Sequence, residues 1–260
     1  MTALRVLDLF SGIGGFSLGL ERAGMRTQAF CEIDPFAQCV LHKHWPHTPI
    51  YPDVSALTGE QLHQDGLQID VICGGFPCQD ISIAGRQAGL DGERSGLWVH
   101  LVRLIKEVQP RYAIIENVRA LLSGPGRTGV WFRKFLSALA SIGYDAEWFC
   151  IPASALGADH QRNRVWIVTY PCEERLPGRG VAGIHPPPVS PAGPRLRVES
   201  AICATHALSR DYWSYEPILG GRLHGVPNRV DRIKALGNAV VPQVAEALGR
   251  AILAYEEARE

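Results

Sequence analysis

From residue 4 to about residue 169 the chain alternates between two hydrophobic rhythms. Residues 4–10 (LRVLDLF) form a short apolar run, followed by Ser11-Gly12-Ile13-Gly14-Gly15. Phe16, Leu18, Leu20 and Ala23 then recur at helical spacing until Gly24. Strand, glycine turn and helix in that order predict the opening unit of a parallel α/β sheet. Residues 27–33 predict a second strand closing on Glu32 and Asp34, and residues 69–73 a third, stopped by Gly74-Gly75-Phe76-Pro77. Residues 97–108 carry helical spacing. Residues 112–115 read as a buried strand ending at Glu116, and residues 131–142 as another helix. Residues 148–151 and 165–169 complete the strands, so the pattern predicts one doubly wound, mostly parallel sheet.

At Pro171 the texture changes. Seven prolines and four glycines fall in the 24 residues from Pro171 to Pro194, a composition suited to loop or polyproline rather than a packed layer. Residues 171–228 are therefore expected to be a small, loop-rich region, with helical pattern returning only over residues 242–258.

Composition narrows the class. The 260 residues are 46% apolar and 20% charged, with 26 Lys+Arg against 26 Asp+Glu, which excludes a disordered chain. No stretch approaches the roughly 20 apolar residues of a membrane span, and residues 1–10 do not resemble an export signal. Seven irregularly spaced cysteines without a CxxC pair fit reduced thiols in a cytoplasm, not a disulfide framework or a zinc site. Charge is nonetheless uneven. Residues 160–235 hold eleven basic and six acidic residues, a difference of +5, and ten of the eleven cations are Arg. Arginine suits phosphate and guanine edges, although a codon bias toward Arg would look the same.

Candidate chemistry lies at the strand ends. Gly12-x-Gly14-Gly15 suits close approach of a ligand to backbone, but Ser17 stands where a dinucleotide fingerprint has its third glycine. Glu32 and Asp53, at or near successive strand ends, suit ribose hydroxyls and an adenine amino group; each alone could equally be a cap or a solvated charge. Cys78, in GGFPCQDIS, sits just beyond a strand's carboxyl edge, where open α/β sheets bind ligands, whereas Cys73 within the strand reads as an inert buried thiol. Glu116 ends the next strand. A thiol and a carboxyl facing one cleft suit nucleophilic catalysis with a partner that grips or protonates the substrate.

Taken together, DLFSGIGGFSLGLERAG, GGFPCQDIS, ENV, HQRNRVWIV and ALGNAVVPQV resemble, in that order over positions 8–244, the motifs of the DNA (cytosine-5)-methyltransferases. GVPNRVDRIKALGNAVVPQ is similar to the compact phage- and prophage-type members. The resemblance implies a Rossmann-like S-adenosylmethionine-dependent methyltransferase fold, with 1–170 plus 229–260 as catalytic and cofactor-binding domain and 171–228 as target-recognition region. It implies a catalytic set of Cys78 (nucleophile), Glu116 (partner of cytosine N3 and the amino group), Arg162 and Arg164, the second arginine also reaching the active site. Phe10, Gly12, Gly14, Glu32, Asp53, Val54, Asn238 and Val240 would line the S-adenosyl-L-methionine site. Gln79 and Ser82 would contact double-stranded DNA. A cognate restriction endonuclease, action as a monomer and a cytoplasmic location follow as expectations. Three features depart from the family pattern: His160 replaces its Gln, Asp159 stands where Pro is usual, and GRLHGVPNRVDR replaces a longer motif. An RNA-directed relative and a catalytically silent DNA-binding relative are the alternatives. The first lacks its Cys-Phe-Thr element here, and the second sits poorly with a full set of reacting residues.

Overall fold

A computed structural model of the chain describes residues 2–77, 95–123, 128–172, 196–209 and 229–259. Strand β1 (Arg5–Leu9) leads through the glycine turn into helix α1 (Gly15–Ala23), then β2 (Arg26–Cys31), α2 (Pro35–His44), β3 (Ile50–Tyr51), α3 (Gly59–Gln64) and β4 (Val71–Gly74). After α4 (Trp98–Val108) come β5 (Tyr112–Val118), α5 (Ala120–Ser123), α6 (Val130–Ser141), β6 (Tyr144–Ile151) and β7 (Arg164–Pro171). Helices α7 (Val198–Ser209), α8 (Arg229–Asn238) and α9 (Pro242–Glu257) follow.

The described strands form one seven-stranded sheet in the order β3-β2-β1-β4-β5-β7-β6. Pairings from β3 through β5 are parallel, while β7 runs antiparallel to both β5 and β6. Alternate side chains enter opposite cores, as the strand period of two requires. Val6, Val71, Ile114 and Val168 pack with α1, α7 and α9; Leu7, Leu9, Ile72, Ile115 and Ile167 pack with α3, α4 and α6. The doubly wound sheet is as expected. No helix among the described residues is long and apolar enough to cross a membrane.

Two consequences position the site. Chain order reverses between β1 and β4, so a crevice opens above their carboxyl ends, where such sheets bind ligands. Because β7 is reversed, its first residue, Arg164, lies beside the last residue of β5, Val118, at that same edge.

Several elements lay outside the expected pattern. Helix α2 has only Ala37 and Leu41 buried; its true signal is local, the Asp34 carboxylate accepting from the Phe36 N–H ahead of Pro35. The region expected to be loop-rich from 171 to 228 contains α7, and Leu196 and Val198 are buried in the core shared with α9. The proline-dense stretch before it masked that periodicity. Helix α8 begins well before the predicted return of helical pattern at 242, and Val230, Ile233 and Leu236 on it are exposed.

Candidate active site and cofactor cleft

The glycine turn is built over a buried acid. Asp8 is fully buried at the end of β1, and its Oδ2 accepts from the Ser17 N–H at 3.2 Å and the Ser17 hydroxyl at 2.8 Å. That is why a serine occupies the position of the third fingerprint glycine. Burial pushes the Asp8 carboxyl up to about 7, against the opposing pull of the Ser17 and Cys73 hydrogen bonds. Phe10 adopts φ 53°, a left-handed conformation uncommon for a bulky residue, so the chain turns directly off the strand. Gly12 has φ +54°, and a Cβ there would meet open space, so its backbone borders a vacant approach rather than packed protein.

Gly15 and Gly19 serve another purpose. A Cβ at either would overlap a backbone carbonyl, that of Val240 at Gly15 and of Pro242 at Gly19. One face of α1 is thus a seat for the start of α9, a role the motif reading did not assign. Gly14 has φ +85°, and a Cβ there would collide with Trp45.

The rim of this turn is tied to the next strand. Glu32 Oε2 accepts from the Gly12 N–H at 2.7 Å, and Oε1 from the Asp34 N–H at 2.8 Å. Asp34 also accepts from Lys234 Nζ of α8 at 2.8 Å, and this ammonium, more than the backbone donors, lowers the pKa of its carboxyl. Exposed Ile33 stands between the two acids. Asp53 accepts from the Ser55 N–H and hydroxyl, both at 2.8 Å, which lowers the pKa of its carboxyl. Val54 is buried, with its carbonyl accepting from Arg103 Nη2 at 2.9 Å; the same nitrogen donates to Leu57 O at 2.8 Å. Arg103 was not legible as a site residue, since its role depends on a loop far away in sequence.

The second half of the crevice lies above β4 and β5. Glu116 is largely buried, and its Oε1 lies 3.1 Å from Arg164 Nε. In the β5–β7 register Glu116 faces Trp166 and Val118 faces Arg164, making the acid and Arg164 diagonal neighbours on one face. Desolvation raises the Glu116 pKa despite the opposing charges of Arg164 and Arg162. A Cβ at Gly75 would come 3.2 Å from Glu116 Oε2, and Asn117 Nδ2 donates to Phe76 O at 3.3 Å. The ENV segment therefore grips the backbone as it leaves β4 toward Pro77. Cys78, Gln79 and Ser82 lie outside the described residues.

The two arginines of HQRNR diverge. Arg162, at φ 27°, sends Nη1 to Gly237 O at 3.0 Å and Nη2 to Ala239 O at 2.7 Å, straddling exposed Asn238. The following Val240 carbonyl abuts Gly15. Phe10, Gly12, Gly14, Glu32, Asn238 and Val240 thus lie along elements that meet at one end of the sheet.

A Rossmann-like sheet with one reversed strand, a glycine turn over its switch point and a buried acid beside it defines the methyltransferase fold class. The chain belongs to the C-5 cytosine-specific DNA methylase family, whose profile matches residues 4–187. The type II methyltransferase M2.BsuMI of Bacillus subtilis is 37% identical over 169 residues, covering 64% of this chain and 41% of that protein. A solved DNA modification methyltransferase encoded within an E. coli prophage is 32% identical with a TM-score of 0.56, covering 65% of this chain and 47% of that one. The Spodoptera frugiperda DNMT2 structure, at 20% identity and TM-score 0.53, shares the fold over 68% of this chain and 53% of its own. The chain spans about two fifths to half the length of these relatives.

Proposed function

We propose that the protein is an S-adenosylmethionine-dependent DNA methyltransferase that makes 5-methylcytosine in duplex DNA, in restriction–modification or phage DNA protection. The observation that carries this is Glu116: a desolvated carboxyl with a raised pKa, held at the end of β5 against the backbone that leads to Cys78. A carboxyl whose pKa is raised takes up a proton more readily than a surface glutamate and can then donate it to N3 of a cytosine.

The cofactor's sulfonium supplies an electrophilic methyl group. The residues present fit it. The open space above Gly12 admits the ligand to backbone, and Glu32 and Asp53 remain acceptors for hydroxyl and amino donors. Ile33 offers an apolar face, and Asn238, at the end of α8, and Val240, just beyond it against Gly15, would close the cleft. The Cys78 thiolate adds to C6 of the cytosine as Glu116 protonates N3, which leaves C5 enamine-like. C5 takes the methyl group and then loses its proton to a base, with water the candidate acceptor. The C5–C6 double bond re-forms as the Cys78 sulfur departs and N3 returns its proton. Arg164 orients Glu116 and moderates its charge. These atoms are unreachable in a stacked duplex, so the base must flip out, at a cost of a few kcal/mol offset by phosphate and pocket contacts. Gln79 and Ser82 would supply DNA contacts after the nucleophile, and the proline-rich part of 171–228 would read the target. The protein would act as a cytoplasmic monomer, with a cognate endonuclease as its partner in a restriction system.

The test is transfer of labelled methyl from S-adenosylmethionine to duplex DNA, followed by digestion and identification of the labelled base. 5-Methylcytosine is the expected product; label in RNA alone, or none, rejects the reading. Duplexes carrying 5-fluorocytosine should be trapped covalently, and Cys78→Ser should abolish trapping.

A further inference from the structure

The two arginines of HQRNR sit two residues apart, yet only Arg164 reaches the Glu116 carboxylate. Arg162 points its guanidinium at two main-chain carbonyls that flank Asn238. The carbonyls at the end of a helix such as α8 have no partners within the helix and must find donors elsewhere. A guanidinium presents its donors in a fixed fork that can bridge two acceptors, which an ammonium cannot reproduce. The backbone at 162 adopts a left-handed φ, which an L residue rarely takes up. Strain of this kind persists where surrounding contacts hold it.

We propose that Arg162 is a positioning residue: it latches residues 237–240 over the cofactor cleft, and it contacts neither the flipped base nor a phosphate. This rests on the cofactor reading above and assigns it a cause. Three contacts run in series from Arg162. Its fork fixes Gly237 and Ala239; the next carbonyl, of Val240, lies against Gly15; and Gly15 starts α1 directly after the ligand-facing turn. At the other end of the same segment, Lys234 bonds to Asp34, whose N–H donates to Glu32. The stretch 234–240 is therefore tied on both sides of the cleft, and Arg162 is the tie nearest the active-site acid. Cofactor binding and immobilisation of residues 237–240 become one event, registered by the segment that also carries Arg164.

The test separates cofactor from DNA. Calorimetry with S-adenosylhomocysteine on DNA-free protein should show Arg162→Ala weakened at least about tenfold, with Arg162→Lys failing to restore affinity. Binding of duplex DNA to the cofactor-free variants should stay within about twofold of wild type, with an unchanged salt slope. A slope reduced by about 0.9, as loss of one phosphate contact requires, together with normal cofactor affinity, overturns the proposal. Hydrogen exchange on the wild-type protein covers the case in which the variants do not fold. Amides of 237–241 should gain protection when S-adenosylhomocysteine binds, and binding without such protection also overturns it. Wild-type protein that binds no S-adenosylhomocysteine would instead reject the cofactor reading itself, a distinct result.

Discussion

The ends of β1 and β5 each carry a buried carboxyl whose pKa is raised by desolvation, and the proposed function puts the two to opposite uses. Asp8 is sealed beneath the glycine turn, where its partners are Ser17 and Cys73. Glu116 lies at the open edge, where its partner is a cation that arrives on a reversed strand and its neighbour is a side-chain-free glycine. A raised pKa thus marks burial, and only the surroundings separate a strut from a reacting group. Glycines divide the same way: Gly12 faces space, whereas Gly15 and Gly19 face backbone.

The largest effect should come from Glu116→Gln. This keeps the shape but cannot deliver a proton to N3, so methyl transfer should fall by at least roughly a hundredfold with cofactor affinity near normal. A loss under tenfold would place Glu116 with Asp8 as architecture. Gly19→Ala should destabilise the fold by about 1–3 kcal/mol in denaturant titration, because the methyl group meets Pro242 and Ala245 backbone and side chain. Gly12→Ala should reverse that pattern, weakening cofactor binding while the midpoint moves less.

Smaller and more diagnostic is Arg164→Ala. Removing the adjacent cation lets the Glu116 pKa rise further, so the alkaline limb of the rate–pH profile that requires its proton should move to higher pH. Asp8→Asn should act on stability alone. The folded carboxyl titrates near 7 against about 3.9 unfolded, so its contribution is complete below about pH 4 and is lost as pH rises through 7. The variant's melting temperature should therefore decline less than wild type's between about pH 5 and 8.

How much of this was legible follows from range. β1, α1, β5 and α9 announced themselves because burial of a whole face imposes a period on the sequence. Glu116 was legible because a lone acid ended an apolar run. Helix α8 was not: Arg232 and Lys234 are interleaved with Val230, Ile233 and Leu236, all three exposed, so no buried face existed to write a pattern. Arg103 and the latch role of Arg162 were hidden for a different reason. Each depends on carbonyls contributed by distant segments, and a carbonyl leaves no trace in residue type. The Gly15 and Gly19 seat was visible only as extra glycines in a motif.

That seat has a bearing on how the molecule is made. Helix α1 is translated well before the surface it needs, which belongs to Val240, Pro242 and α9. Until then Phe16 and Leu20 have no apolar cover on that side, and closing so long a loop is slow. The nascent chain is therefore expected to need protection from aggregation until α9 has been made, and methyl-donor capture to become possible only after α9 docks.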